Sequence, residues 1–181
     1  MKHIKTLIFV AISLFLTAMS CEKYPDGLPP ETAEGKNTFG CLVNNEIFTD
    51  SNAIIQWGIP NLWATYIRNT NSIEISARRR KNEKTEYVWF TITNPIEMLP
   101  AKIDSAGYSK GCYPDCPCPS FIGKNTGSVI LTRFDTVNKI VSGRFSFDGI
   151  CSDINRSPIG DSAVHITEGR FDIDGMLIYD N

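Results

Sequence analysis

The chain has 181 residues, with 18 Lys and Arg against 20 Asp and Glu, and a formal net charge of −2. That balance excludes the basic footprint that nucleic-acid binding requires. The length fits one domain with a sizeable core.

The first residues are basic (Lys2, Lys5), then apolar without interruption from Leu7 to Leu16, then Thr17-Ala18-Met19-Ser20 before Cys21. A positive start, a short hydrophobic run and small residues before a cut mark a secretory signal. A Cys at the cut makes it a lipoprotein signal, because its thiol takes a diacylglyceryl group before cleavage. The run is too short to remain as a spanning helix. Residues 1–20 are therefore expected to be removed and Cys21 to carry the lipid, with the membrane as a partner. Cleavage removes two lysines and no acid, so 161 residues with a net charge of −4 remain, and His165 is their one histidine. The address is the cell envelope, expected at the outer membrane on its periplasmic or outer surface, where the other cysteines can oxidise. Glu22 and Asp26 after the anchor hint at surface display.

Residues 22–37 hold Pro25, Pro29, Pro30, Gly27, Gly35 and several charges without apolar periodicity. With Cys21 they read as a flexible tether, 21–37, and a single domain is expected over 38–181. Phe39 to Val43, Asn44-Asn45 and Glu46 to Thr49 predict a tight hairpin, since Asn tolerates positive φ. Strands are expected at 53–58 and 62–68. Ile73, Ile75 and Ala77 alternate with polar residues, as do Val88, Phe90 and Ile92, which predicts a second hairpin around a basic turn, 79–84. Residues 94–127, with five prolines, read as irregular. Strands resume at 128–134, 139–148 and 163–174, with a last one possible at 176–179. No window shows a helical period. Gly143-Arg144-Phe145-Ser146-Phe147-Asp148-Gly149 echoes Gly169-Arg170-Phe171-Asp172-Ile173-Asp174-Gly175, which reads as two strands packing alike rather than as a repeat array. The pattern predicts an all-β antiparallel sandwich of about ten short strands, with an up-and-down barrel as the alternative.

Phe39-Gly40-Cys41-Leu42-Val43-Asn44, Ile140-Val141-Ser142-Gly143-Arg144-Phe145 and Ile166-Thr167-Glu168-Gly169-Arg170-Phe171-Asp172 together resemble a group of uncharacterised lipoproteins of the Bacteroidetes type. Members usually have Gly where Asn45 stands. The resemblance spans most of the mature chain and rests on strand-and-turn patterns. It implies an envelope lipoprotein with an all-β domain and no established activity, so it supplies no catalytic residue.

Once Cys21 is lipidated, Cys41, Cys112, Cys116, Cys118 and Cys151 remain as disulfide candidates, an odd number that leaves one thiol over. Joining Cys41 or Cys151 to the 112–118 loop would pin that loop to the sheet. A zinc site on Cys112, Cys116 and Cys118 is the alternative, but it lacks the paired C-x2-C spacing of structural sites. A hydrolase would need His165 as base with Asp153 or Asp161 behind it. Yet no nucleophile motif is present, and His165 alternates with Val164 and Ile166 as a solvent-facing strand residue would. Asp153 to Ser157 begins like a calcium loop, but Pro158 stands where a Gly is required. Asp172-x-Asp174-Gly175 reads as a strand running into a turn.

Tyr87 and Trp89 alternate with the apolar row and are the ligand-binding candidates. They form either a shelf for a sugar ring or apolar peptide, or core beneath a second layer. The run Arg78-Arg79-Arg80-Lys81 could touch anionic lipid or glycan, or be a solvated hairpin tip that discourages edge pairing. The sequence predicts a non-catalytic binding module with no cofactor and a glycan or protein ligand; a hydrolase and a purely structural envelope component are the alternatives.

Overall fold

The computed structural model describes Pro25 and residues 27–50, 60–111, 120–152 and 158–180. The signal segment, Cys21, the expected strand 53–58 with Trp57, the cysteines of 112–118 and the 153–157 loop lie outside the described residues. Among those described there is no helix long and apolar enough to cross a membrane. Twelve strands run in chain order among the described residues: β1 (Thr38–Val43), β2 (Glu46–Thr49), β3 (Leu62–Ile67), β4 (Ser72–Lys81), β5 (Lys84–Thr93), β6 (Pro100–Lys102), β7 (Ser105–Ser109), β8 (Ser120–Lys124), β9 (Gly127–Asp135), β10 (Ile140–Ser152), β11 (Pro158–Asp174) and β12 (Leu177–Tyr179).

They form one open sheet in the order β12-β3-β4-β5-β7-β8-β10-β11-β1-β2, with β9 also paired to β10 and β6 to β9. Every pairing is antiparallel except β12 with β3, so the sheet is mixed. The inward faces of its two halves meet over one core. Phe90 on β5 packs 4.7 Å from Phe145 on β10 and 5.8 Å from Phe171 on β11, although β5 borders neither strand. Tyr66 on β3 meets Phe134 on β9 edge-on at 5.0 Å. This is the sandwich-like arrangement the alternation predicts. A closed barrel is set aside, because the sheet is open and, among the described residues, no backbone ladder joins β2 to the strands beyond its free edge. Side chains bridge that seam: Arg79 on β4 donates to the Ile47 carbonyl and lies 3.7 Å from the Glu46 carboxylate, and Lys81 pairs with Glu46.

The first hairpin turns on Asn44 (φ 50°) and Asn45 (φ 67°), as expected of a two-residue left-handed turn. The second turns on Asn82 and Glu83, at φ 49° and 64°. Its basic residues 79–81 therefore belong to β4 rather than to a turn, where Arg79 sits opposite Glu86. The stretch 94–127 is not irregular throughout, since it contains β6, β7 and β8. Small residues hide them: in β7 only Ala106 and Tyr108 carry side chains into the core.

The two echoing segments are direct partners on β10 and β11. Gly143 lies opposite Phe171, and Phe145 opposite Gly169. A Cβ at Gly169 would come within 2.6 Å of the Phe145 ring, and one at Gly143 within 3.0 Å of Phe171 Cζ. Each glycine leaves room for the other strand's aromatic ring, so the echo is a packing device.

The tether is corrected most. Asp172 on β11 is 1% exposed and accepts hydrogen bonds from Thr32 Oγ1 (2.5 Å), the N–H groups of Glu34 (3.1 Å), Gly35 (2.8 Å) and Lys36 (3.0 Å), and Ser142 Oγ (2.6 Å). Arg133 donates to the Ala33 carbonyl at 2.9 Å, and Arg144 pairs with Glu31 at 2.7 Å. Residues 27–37 are thus a strap bound across β9, β10 and β11, and the folded unit begins ahead of Thr38. Composition cannot show this, because the strap's backbone donors are satisfied by a carboxylate more than a hundred residues away.

Burial alone disfavours ionised Asp172, but the donors from Ser142, Thr32, Lys36 and Gly35 outweigh it and hold the carboxyl down to about 2. A depressed carboxyl stabilises the fold above its unfolded value of ~3.9, and that contribution is lost as the pH falls towards about 2. Asp172→Ala should cost about 2–4 kcal/mol, flatten the acid limb of a denaturation series between those pH values, and remove exchange protection from the amides of 34–36. An unchanged acid limb would contradict this account.

Candidate binding face

In a sheet, directly paired residues project on the same side. Following the register across strands gives one row: Trp63 opposite Ser76, Ser76 opposite Trp89, Trp89 opposite Gly107, Gly107 opposite Ile122, Ile122 opposite Ile150 and Ile150 opposite Ala163. Their neighbours along each strand, among them Ala77, Val88, Phe90, Phe121 and Val164, are buried in the core. The row therefore lies on the outer face. Over its β5–β11 portion is a groove of about 610 Å³, floored by Trp89, Ile122, Ile150 and Ala163, with Lys124 and Asp148 at its margin.

Gly107 explains how Trp89 enters that floor. A Cβ there would lie 2.4 Å from Trp89 Nε1, 2.7 Å from Cε2 and 3.0 Å from Cζ2. Three adjacent ring atoms that close place the indole over the glycine, lying along the sheet instead of standing out from it. Trp89 is half-buried, with one face down and its other side lining the groove. The indole thus lies on the outer face of the sheet and not in the core between its two halves.

Tyr87, the other candidate, is in a different setting. Its ring stacks on Trp63 at 5.8 Å and 23°, and the Arg78 guanidinium lies over both rings, at 4.9 Å from Trp63 and 5.4 Å from Tyr87. Its hydroxyl donates to the buried Ser76 at 3.0 Å, and burial pushes the phenol above its ordinary value. Tyr87 is thus engaged in a capped surface cluster and does not line the groove.

His165 faces solvent on β11. Its Nδ1 lies 2.7 Å from Asp148 Oδ1, directly across on β10, and both side chains are well exposed. The carboxylate beside His165 is therefore Asp148, which the sequence did not single out; Asp153 and the Asp161 side chain lie outside the described residues. Among the described residues no hydroxyl or thiol is hydrogen-bonded to the imidazole, so the pair presents polar groups at the groove margin.

Among the disulfide candidates, Cys41 is corrected: it is a free thiol, wholly buried between Phe39 and Val43 on the inward face of β1. Burial pushes its thiol well above the usual range. Cys151 is buried on β10 opposite Phe121, next to the strand that follows the 112–119 connection. Cys112, Cys116 and Cys118 lie outside the described residues, as does the loop that begins like a calcium site. No three His, Cys, Asp or Glu side chains come together as a metal site among the described residues. Asp172 is used by the strap, while Asp174 leads into a turn at Gly175 (φ 78°).

Two tests bear on these placements. Cys41 should resist thiol reagents in the native protein and label only on unfolding; native labelling would contradict its burial. Gly107→Ala should unseat Trp89, costing about 1–3 kcal/mol and shifting indole emission to longer wavelength; unchanged emission would mean that the ring does not rest there. No family model matches the chain, and no curated protein or solved structure matches it either.

Proposed function

We propose that this chain is a non-catalytic binding protein of the cell envelope, lipid-anchored through Cys21, that holds a glycan in the groove over Trp89. The observation that carries this reading is the indole laid along the sheet on Gly107, in line with Ile122, Ile150 and Ala163. A sugar ring has an apolar C–H face and a hydroxyl-bearing edge. The groove offers the matching pair: an aromatic and aliphatic floor, and a margin of Ser105, Lys124, Thr126 and Asp148 that can exchange hydrogen bonds with hydroxyls. The lipoprotein pattern before Cys21 and the resemblance to Bacteroidetes-type lipoproteins support the envelope address. The hydrolase reading is not favoured, because His165 and Asp148 lie in the open and no nucleophile is hydrogen-bonded to the imidazole among the described residues.

With Cys41 free, Cys151 is the cysteine within the sheet left to join the 112–118 segment. We assign it a disulfide with Cys112, Cys116 or Cys118, which would stabilise the domain by about 3 kcal/mol through restriction of the unfolded chain.

Titration with neutral cello-, malto- and chito-oligosaccharides, followed by tryptophan fluorescence, tests the glycan. One series should give saturable binding, weakened about tenfold by Trp89→Ala and unaffected by Tyr87→Phe. Binding of apolar peptides and of no sugar would overturn the glycan, and the absence of any ligand-induced thermal shift would point to a structural component.

A further inference from the structure

The strap also determines where the lipid leaves the domain. Its path begins at Gly27, where a Cβ would come within 2.9 Å of Ile47 on β2, and Pro29 then lies against Gly40. Glu31 reaches Arg144, Thr32 to Lys36 wrap Asp172, and Asn37 accepts from the Asp174 N–H at 2.9 Å. The strap thus starts near the β1–β2 turn and runs towards the opposite end, where Gly35 lies beside Ile140. Between Cys21 and Gly27 stand only the five residues 22–26. Even fully extended, that leash spans about 20 Å.

The end where the leash departs also carries the β4–β5 hairpin tip. Lys81 pairs with Glu46, the residue before Ile47, and Arg79 holds the Ile47 carbonyl. Arg80, Lys81 and Lys84 are exposed at the tip, and Arg80 and Lys84 have no ion pair among the described residues. Gly111 packs against Thr85 and brings the exposed Lys110 to the same place. Among the described residues there, the exposed cations Arg80, Lys81, Lys84 and Lys110 outnumber the exposed acids Glu46 and Glu83, Arg79 and Glu86 being largely buried and paired with each other, although the chain as a whole is acidic.

We propose that the domain docks with this hairpin tip against the anionic headgroups of the membrane that holds its anchor. The inference rests on lipid attachment at Cys21. A leash this short keeps the tip at high effective concentration next to the bilayer, and basic side chains within a Debye length of an anionic surface are attracted to it. Arg80, Lys81 and Lys84 then serve as the membrane-facing part of the fold, while Arg78 caps the Trp63–Tyr87 pair and Arg79 is held by Glu86 and the Ile47 carbonyl.

The test uses the full lipidated protein in vesicles of phosphatidylcholine, with or without phosphatidylglycerol, after mass spectrometry of its N-terminus. Lysines are acetylated in a timed reaction and the sites are read by peptide mass. Lys84 should label several-fold more slowly on the anionic vesicles, while the exposed Lys139, at the opposite end, should label equally on both. Inserting a Gly-Ser segment of roughly twenty residues after Asp26 should abolish most of the difference. A lipidated Cys21 with Lys84 labelled alike on both vesicle types overturns this docking alone. An unmodified Cys21 overturns the anchor and the docking together.

Discussion

The structure depends on one buried carboxylate. Asp172 lies on the central strand of its layer, between β10 and β1, where an ionised side chain would ordinarily be expensive. Five hydrogen bonds offset that cost, and four come from the segment that precedes the first strand. Because a carboxylate only accepts, it can take up a run of backbone N–H groups that no strand pairs. The strap is therefore part of the fold, covering the outer side of β9–β11, and the groove lies on the portion of the sheet it does not cover.

How much of this was legible in the sequence depended on range. The Asn44-Asn45 hairpin and the β4–β5 pair were readable because alternation and turn chemistry are local. Cys41 could have been placed the same way: it shares a face with Phe39 and Val43, which points it into the core and away from any loop. The strap was not legible, since Asp172 lies more than 130 residues from its partners there. Strands β6, β7 and β8 are not legible because each has five residues or fewer and they stand among prolines, and β7 is built mostly from small residues, so alternation has few side chains to show. Pairing Asp148 with His165, or Trp89 with Gly107, requires the register, and no single strand displays it.

Glycine has two distinct uses in this sheet. On β10 and β11 it makes room inside, so that Phe145 and Phe171 can each cross above the neighbouring strand and meet Phe90 from the other layer. On β7 it makes room outside, so that Trp89 can lie down. The first use fills the core with aromatic rings; the second keeps one ring out of the core and close to the backbone, where few rotamers are open to it. A side chain held this way loses little entropy on contact with a ligand, which is an advantage for weak, repeated contacts such as those with a polymer.

The row from Trp63 to Ala163 crosses the strands instead of following one. If the domain stands on its β4–β5 tip, the strands rise from the bilayer and the groove runs level above it. Trp89 lies five residues along β5 from Lys84, which sets the groove at a height of about 17 Å. A polymer bound there would lie parallel to the lipid surface like a rail beside a floor, and neighbouring copies in the same membrane would hold it at a common height.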